Sequence, residues 1–250
     1  MRVGLIGSGN MARALARGWG DPVLCSDTGS GRAAALAAEL GGRAATNVEV
    51  AEQSDLVVLC HKPYQLREVA GEIAGATRAV ASVLGSATIA ELTAAYPDRP
   101  VFRLIPNTPV ELRQGTTCYA PSPESDPERE RDVIALFERL GTVVTVEERL
   151  LGVASSVSSL GPAYQALITE AQVDAAVRLG LGPLVASQLA VATMAGTAAL
   201  LEARGYDTLA VRREVTSPGG STARGLDALE RGGLRGAFQA ASDRVCGAQS

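Results

Sequence analysis

A short loop rich in glycine and hydroxyl residues carries the most suggestive chemistry in the sequence. It runs over Val215–Thr222 and precedes a helical pattern that ends near Glu230. The first backbone N–H groups of a helix have no partner inside it, and the positive end of the helix dipole lies beside them. We therefore expect the loop to bind an anionic group such as a carboxylate. The alternative is an ordinary turn and helix cap, since the same residue types serve both.

A second glycine motif lies at the start of the chain. Gly7-Ser8-Gly9-Asn10-Met11-Ala12 fits the pattern G-x-G-x-x-[GA], directly after an apolar run and at the start of a helical pattern. The first glycine of this motif forms a tight turn, and the second lets the backbone approach a pyrophosphate. The small sixth residue lets the helix pack against the strand. This context predicts binding of NADH or NADPH.

Asp27 follows the second predicted strand. An acid at this position usually accepts the ribose hydroxyls of NADH and repels the extra phosphate of NADPH. However, Thr28, Ser30 and Arg32 come directly after it and are suited to bind that phosphate. Asp27 is equally suited to cap the next helix, so both cofactors stay open.

His61-Lys62-Pro63 follows the third predicted strand and contains the only histidine and the only lysine of the chain. Ligands of an open α/β sheet bind beyond the carboxyl ends of its strands, so we expect this segment to face the cofactor. Lys62 is suited to its phosphates or ribose, and a solvated surface lysine is the alternative. A general-base role for His61 lacks a partner that would orient the ring.

Asn107 lies in a stiff segment after the fifth predicted strand, between Pro106 and Pro109. Its side chain is a candidate contact to the nicotinamide carboxamide or to the substrate. The alternative is a rigid turn that leaves a strand, which uses prolines for the same reason.

The first half of the chain alternates short apolar runs with helical patterns, which is typical of a parallel sheet built from βαβ units. Strands are predicted at residues 3–6, 23–26, 56–60, 80–84, 101–105, 115–119 and 143–146. Helices between them are predicted at about 10–18, 31–40, 65–75, 88–95 and 127–140. After them, only helical patterns follow, at about 150–158, 162–180, 184–203, 208–214, 222–231 and 234–247. The predicted fold class is α/β, with a doubly wound Rossmann domain over 1–148 and an all-helical domain over 149–250.

The composition narrows the class of protein. A hydrophobic fraction of 46% and a net charge of −4 are typical of a globular protein and do not indicate nucleic-acid binding. Cys25, Cys60, Cys118 and Cys246 have no spacing typical of a zinc site or a disulfide framework. Residues 179–201 carry no charge, but their glycine, proline and polar residues favour a buried helix over a membrane span. With no signal-peptide pattern, we expect a cytoplasmic protein.

Taken together, the motifs resemble those of the pyrroline-5-carboxylate reductase family. The resemblance follows the family's order over nearly the whole chain. It rests on Gly7–Ala12, His61-Lys62-Pro63, Pro106-Asn107-Thr108-Pro109, Gly161-Pro162-Ala163-Tyr164 with Glu170, Ala171 and Asp174, and Val215–Glu230.

The resemblance implies NADPH- or NADH-dependent reduction of the cyclic imine L-Δ1-pyrroline-5-carboxylate to L-proline, the last step of proline biosynthesis. It also implies that the helical domain interlocks with a second subunit, in homodimers that often assemble into decamers. Neither nucleic acid nor a membrane is an expected partner.

The resemblance also assigns roles to residues. Thr222 is the predicted catalytic residue, its hydroxyl bonded to the ring nitrogen of the substrate. The predicted carboxylate site consists of the Ser217 hydroxyl and the backbone of Gly219, Gly220, Ser221 and Thr222. The predicted cofactor-binding residues are Gly7, Ser8, Gly9, Asn10, Met11, Asp27, Asn47, His61, Lys62, Pro63 and Asn107.

The implied chemistry agrees with the residues present. Hydride attack on the imine carbon leaves charge on the nitrogen, and a cyclic iminium can arrive already protonated. One hydroxyl donor and accurate placement therefore suffice. The helical half contains no lysine, which argues against the related β-hydroxyacid dehydrogenases, because those enzymes use one there.

The sequence departs from the family pattern near the expected site, at His61, Leu84-Gly85, Leu160 and Asp207-Thr208. Leu160 stands where the family usually has a small polar residue. A reductase of a related cyclic imine in specialised metabolism is therefore an alternative. A catalytically inactive nucleotide-binding oligomer is a second alternative, against which the intact segment 215–222 argues.

Overall fold

A computed structural model describes residues 1–122 and 125–247 of the chain. It divides into two units, Met1–Pro162 and Ala163–Ser250. The last strand ends at Thr145, so the predicted domain boundary at residue 148 falls between the sheet and the helical run. That boundary stays a prediction.

The first unit is built on one mixed sheet. Its strands are β1 (Val3–Ile6), β2 (Leu24–Ser26), β3 (Arg43–Ala44), β4 (Leu56–Leu59), β5 (Val80–Ser82), β6 (Val101–Pro106), β7 (Gly115–Ala120) and β8 (Gly141–Thr145). They lie in the order β3-β2-β1-β4-β5-β6-β7-β8. The first six strands have the order of a Rossmann sheet, whose winding reverses between β1 and β4. The predicted α/β fold class is confirmed.

The helices of this unit follow the strands as predicted, with one addition. They are α1 (Asn10–Trp19), α2 (Arg32–Leu40), α3 (Asn47–Gln53), α4 (Leu66–Ile73), α5 (Ile89–Ala95), α6 (Pro127–Glu138) and α7 (Leu151–Ser158). The sequence prediction missed α3 and the short strand β3. The Thr46 hydroxyl accepts the Glu49 N–H at 3.3 Å, and the Glu49 carboxylate accepts the Thr46 N–H at 2.8 Å. This capping box is a signal that the sequence contains.

The direction of one strand differs from the predicted parallel sheet. β7 runs antiparallel to β6, with Arg103 opposite Ala120. The connection between the two strands contains only a short 3-10 turn, Thr108–Leu112. It is too short for the crossover that a parallel pair needs. β8 follows α6 and pairs with β7 in parallel.

The central strand β4 shows why its sequence is continuously apolar. All four of its residues are buried, because helices cover both faces of the sheet. Leu56 and Val58 belong to one apolar cluster, and Val57 and Leu59 belong to the other. Successive side chains thus serve opposite faces of the sheet.

An ion pair between the buried Arg103 and the partly buried Glu148 fixes the chain that follows β5. The guanidinium of Arg103, on β6, donates to the Glu148 carboxylate at 2.6 Å and to the Gly85 carbonyl at 3.2 Å. The same carboxylate oxygen accepts the N–H of Ile89, the first residue of α5, at 2.6 Å. Arg103 and Glu148 together therefore hold the segment between β5 and α5 in place.

The second unit is all-helical in its described part, as predicted. Its helices are α8 (Gly161–Arg178, whose first two residues belong to the first unit), α9 (Pro183–Ala203), α10 (Thr208–Glu214), α11 (Ser221–Arg231) and α12 (Leu234–Cys246). Among its described hydrophobic residues, only Ala186 and Val211 are buried.

Helix α9 contains the uncharged segment of the sequence. It is long and apolar enough to cross a membrane by length and composition. Leu184 is 72% exposed and Leu189 57% exposed, so the predicted burial of this helix is not met within the single chain. The other helices of this unit do not cover every side of the apolar α9.

We predict that Glu148→Gln destabilises the first unit, because it leaves the buried Arg103 guanidinium without a charged partner. The free energy of unfolding should fall by about 1–3 kcal/mol. The only tryptophan, Trp19, is buried in this unit, so its fluorescence during urea unfolding reports the change.

Glu147→Gln is the matched control. Glu147 and its partner Arg149 have side chains that are 66% and 70% exposed, so this variant should unfold like the wild type. Equal stability of both variants would contradict the importance of the Arg103–Glu148 pair.

Candidate functional site

A cleft of about 610 Å³ opens in the first unit, where the winding of the sheet reverses. The turn after β1 and the segment after β4 form its walls. All predicted cofactor residues except Asn107 line this cleft. The predicted residues are therefore brought together at the carboxyl ends of the strands.

Gly7 forms the tight turn after β1. Its φ is +98°, and a Cβ there would lie 2.8 Å from the backbone nitrogen of His61. The Gly7 N–H and the Ser8 hydroxyl both donate to the Ser26 carbonyl, at 3.1 and 2.9 Å. Only glycine fits this conformation and this close approach.

Gly9 precedes α1 and faces open space. A Cβ there would meet no atom within 4 Å in the described part of the chain. No side chain of the described residues caps the N-terminus of α1, while Ala12 is fully buried behind it. Free N–H groups beside open space fit a bound pyrophosphate.

Asp27 organises the loop that leads into α2. Its carboxylate accepts the N–H groups of Ala33 and Gly29, both at 2.8 Å, and the Ser30 hydroxyl at 2.9 Å. These hydrogen bonds, that of Ala33 first, hold the pKa of Asp27 below its usual range. Asp27 thus caps α2, which is one of the two roles that the sequence leaves open for it. Thr28, Ser30 and Arg32, which follow it, are exposed.

Asn47 joins two walls of the cleft. Its side-chain oxygen accepts the Ser26 hydroxyl at 2.6 Å, and its amide donates to the Glu72 carboxylate at 2.7 Å. Ser26 ends β2, and Glu72 lies on α4. Asn47 therefore fixes the distance between these elements at the floor of the cleft.

His61 and Lys62 differ in their surroundings. Lys62 is exposed, and its N–H donates to the Gln65 side chain at 3.2 Å. The His61 ring is partly buried, with Nδ1 at 2.9 Å from the Lys62 carbonyl. Burial holds the pKa of His61 below its usual value, and the hydrogen bond to Lys62 opposes this only in part.

Asn107 is buried, and its side chain is engaged elsewhere. Its amide donates to the Ser158 carbonyl at 3.0 Å, and its oxygen accepts the Thr116 N–H at 2.8 Å. It thereby ties the end of β6 to β7 and α7. These bonds support the rigid turn, which is one of the two roles that the sequence leaves open for Asn107. The other role, contact with the cofactor, stays a prediction.

A further segment of the cleft wall includes Leu84 and Gly85, two of the departures from the family pattern that are expected near the site. Val83, Leu84 and Gly85 follow β5 and line the cleft. The rule that ligands bind beyond the carboxyl ends of strands identifies this segment when it is applied to β5.

In the second unit, the loop before α11 has the features of an anion site. Gly220 is the N-cap of α11, and within residues 163–247 no side chain caps this helix. Gly219 has a φ of +66°, and the Gly220 N–H donates to the Ser217 carbonyl at 3.1 Å. Ser217 and Thr222 are exposed.

Comparisons with known proteins cover nearly the whole chain. A family model described as pyrroline-5-carboxylate reductase dimerisation matches residues 148–249. A second model, described as NADP oxidoreductase coenzyme F420-dependent, matches residues 2–85. A pyrroline-5-carboxylate reductase of Mycobacterium tuberculosis is 35% identical, over 96% of this chain and 92% of that protein. One of Synechocystis is also 35% identical, over 77% of this chain and 73% of that protein.

Solved structures agree with these relatives. The pyrroline-5-carboxylate reductase of Streptococcus pyogenes has a TM-score of 0.89 at 25% identity, covering 98% of this chain and 96% of that one. The enzyme of Coxiella burnetii has a TM-score of 0.86 at 28% identity, covering 98% and 97%. A Plasmodium falciparum pyrroline carboxylate reductase, solved with NADP bound, shares the fold at 23% identity, with a TM-score of 0.86 and coverage of 98% and 95%.

We predict that Gly9→Val folds normally but loses cofactor binding. A side chain at Gly9 meets no atom within 4 Å in the described residues, but it would occupy the space of the pyrophosphate. The Kd for NADPH, measured by its fluorescence, should rise roughly 100-fold or more.

Gly7→Val serves as the comparison. It should lose stability as well as binding, because its φ of +98° and the neighbouring His61 backbone exclude a side chain. An unchanged NADPH affinity in Gly9→Val would disprove the assignment of this turn.

Proposed function

The chain belongs to the pyrroline-5-carboxylate reductase family, and we propose that it reduces L-Δ1-pyrroline-5-carboxylate to L-proline through the residues described above. It is an NAD(P)H-dependent oxidoreductase that acts on a C=N bond. The observation that carries the proposal is the N-terminus of α11, which follows Gly219 and Gly220 and which no side chain of the described residues caps.

The cofactor fits the first unit. Bound NADPH or NADH supplies the hydride, which goes to the imine carbon, C2 of pyrroline-5-carboxylate and C5 of the proline that forms. Gly7, Ser8, Gly9, Asn10 and Met11 hold the pyrophosphate at the N-terminus of α1. The open space at Gly9 supports this role, as does the absence of a side-chain cap on α1 among the described residues.

The substrate carboxylate binds at α11. The backbone of Gly219, Gly220, Ser221 and Thr222 surrounds it, and the Ser217 hydroxyl donates to it. A carboxylate at this end of the helix gains from the free N–H groups and from the helix dipole. No charged side chain is required for this recognition.

The Thr222 hydroxyl oxygen accepts a hydrogen bond from the protonated ring nitrogen. As the hydride arrives, the iminium nitrogen loses its positive charge and becomes an amine, and the hydroxyl orients it throughout. The iminium proton stays on the nitrogen, so no strong acid is needed. The lack of lysine and histidine in residues 149–250 is consistent with this.

A reductase of a related cyclic imine is the second candidate function. Leu160, half-buried in the turn between α7 and α8, replaces a small polar residue of the family pattern and favours a different ring. A coupled assay tests both candidates with pyrroline-5-carboxylate, its six-membered homologue and pyrroline without a carboxylate. Highest kcat/KM for pyrroline-5-carboxylate supports the main proposal, and preference for another ring supports the second. Cofactor binding without any turnover would favour the catalytically inactive oligomer.

The chain self-associates through its dimerisation domain. We propose a homodimer that assembles further into a decamer, a soluble cytoplasmic enzyme with no nucleic-acid or membrane partner. The exposure of apolar residues on α9, such as Leu184 and Leu189, supports burial of this helix between subunits. Light scattering measures the size of the assembly.

We predict that Thr222→Ala lowers kcat roughly 10- to 100-fold while the Kd for NADPH stays within twofold. The hydroxyl acts on the ring nitrogen and not on the cofactor. Steady-state kinetics and NADPH titration separate the two effects. Thr222→Ser, which keeps the hydroxyl, should recover most of kcat, and equal losses in both quantities would exclude this role.

We also predict that Arg32→Gln weakens NADPH binding roughly tenfold and NADH binding little. Asp27 is engaged in capping α2, so the exposed Arg32 is the group left to meet the extra phosphate of NADPH. Arg99→Gln is a control of equal charge, because Arg99 is exposed at the opposite end of the sheet, before β6. Equal weakening of NADPH and NADH binding would refute the prediction.

A further inference from the structure

His61 lies beside the dinucleotide turn. The Cys60 N–H donates to the Ile6 carbonyl at 2.8 Å, which continues the pairing of β1 and β4. A Cβ on Gly7 would lie 2.8 Å from the backbone nitrogen of His61. His61 therefore follows the strand that borders the reversal point, and it lines the same cleft as the Gly7–Met11 turn.

The backbone fixes the tautomer of the His61 ring. Nδ1 lies 2.9 Å from the Lys62 carbonyl. A carbonyl oxygen can only accept, so Nδ1 must carry the proton. Because burial lowers the pKa of His61, the ring is neutral near pH 7, and Nε2 keeps a free lone pair.

Nε2 is an acceptor without a donor. It is buried, and it has no hydrogen-bond partner in the part of the chain that the structure describes. A buried acceptor without a donor costs free energy, which a ligand that brings a donor recovers. Such an orphan atom, in a residue that lines a ligand cleft, indicates a contact that the ligand completes.

The sheet order selects the half of the cofactor that meets His61. β2 and β4 flank β1 on opposite sides. The adenosine ribose of a bound dinucleotide lies at the end of β2, and the pyrophosphate lies at the start of α1. The nicotinamide half then lies on the side of β4, where His61 is.

The acceptor character of Nε2 determines which group of the cofactor can bind it. Phosphate oxygens are acceptors and cannot pair with a bare Nε2. The ribose next to the pyrophosphate carries two hydroxyl donors. We propose that Nε2 of His61 accepts a hydrogen bond from a hydroxyl of the nicotinamide ribose and so orients the reactive half of the cofactor.

This inference rests on the proposed function only because both require that the first unit binds NADPH or NADH. Both readouts below use the full-length protein without substrate, so they are independent of which imine is reduced. If the protein does not reduce pyrroline-5-carboxylate, the readouts still test the His61 contact. If the readouts show no His61 contact, the proposed reductase activity still stands.

The sole histidine makes a direct test possible. In protein with 15N-labelled histidine, NMR reports each ring nitrogen without overlap from another residue. The free protein should show a neutral ring protonated at Nδ1, and NADPH should shift the Nε2 resonance in the direction of an accepted hydrogen bond. A ring protonated at Nε2, or an Nε2 resonance that NADPH leaves unchanged, would overturn the proposal.

A cofactor analogue distinguishes the ribose from the carboxamide. Reduced acetylpyridine adenine dinucleotide phosphate keeps both riboses but lacks the amide donor. The proposal expects the same shift of Nε2 with this analogue as with NADPH. A shift with NADPH alone would assign the contact to the carboxamide and overturn the ribose assignment.

Variants measure the contribution to affinity. His61→Leu removes the acceptor and should raise the Kd for NADPH roughly five- to tenfold. His61→Gln offers an amide oxygen near the position of Nε2 and should stay within about twofold of the wild type. Arg99→Gln, which changes an exposed residue at the opposite end of the sheet, is the control. Wild-type affinity in a folded His61→Leu would contradict the proposal.

Discussion

The cofactor cleft depends on the close approach of two backbone segments, the turn at Gly7 and the chain that leaves β4 at Cys60 and His61. Pairing of β1 with β4 brings them together, and the absence of a Cβ at Gly7 permits the contact. This approach places the N-terminus of α1, the open space at Gly9 and the ring of His61 around one cleft. The Arg103–Glu148 ion pair then holds the segment after β5 at the same edge.

A second constraint lies in the helical unit, where recognition rests on backbone groups. The N-terminus of α11 offers N–H groups that no side chain of the described residues caps. Such groups bind a carboxylate without a counter-charge, and the neighbouring Thr222 hydroxyl is suited to an imine nitrogen. Because the iminium carries its own proton, orientation replaces acid catalysis. The near absence of lysine and histidine from the sequence therefore agrees with the chemistry.

The sequence predicts most of this architecture because its signals are local. Apolar runs, glycine motifs and helix caps locate every strand except β3, together with α1 and α11, to within a few residues. The capping box at Thr46 is a local signal for α3, which the prediction missed. The antiparallel direction of β7 depends on the length of the connection from β6. The bonds of Asn107 to Thr116 and Ser158 depend on packing between distant segments. The exposure of α9 depends on how much of its apolar surface the other helices of the unit cover. The tautomer of His61 depends on one backbone carbonyl.

The central claim is direct hydride transfer from the cofactor to the imine carbon of pyrroline-5-carboxylate. The most direct measurement supplies NADPH that carries deuterium at both C4 positions of the dihydronicotinamide and locates the label in the product. The account predicts L-proline with a single deuterium at C5. Unlabelled proline, or oxidation of the cofactor without proline, would contradict it.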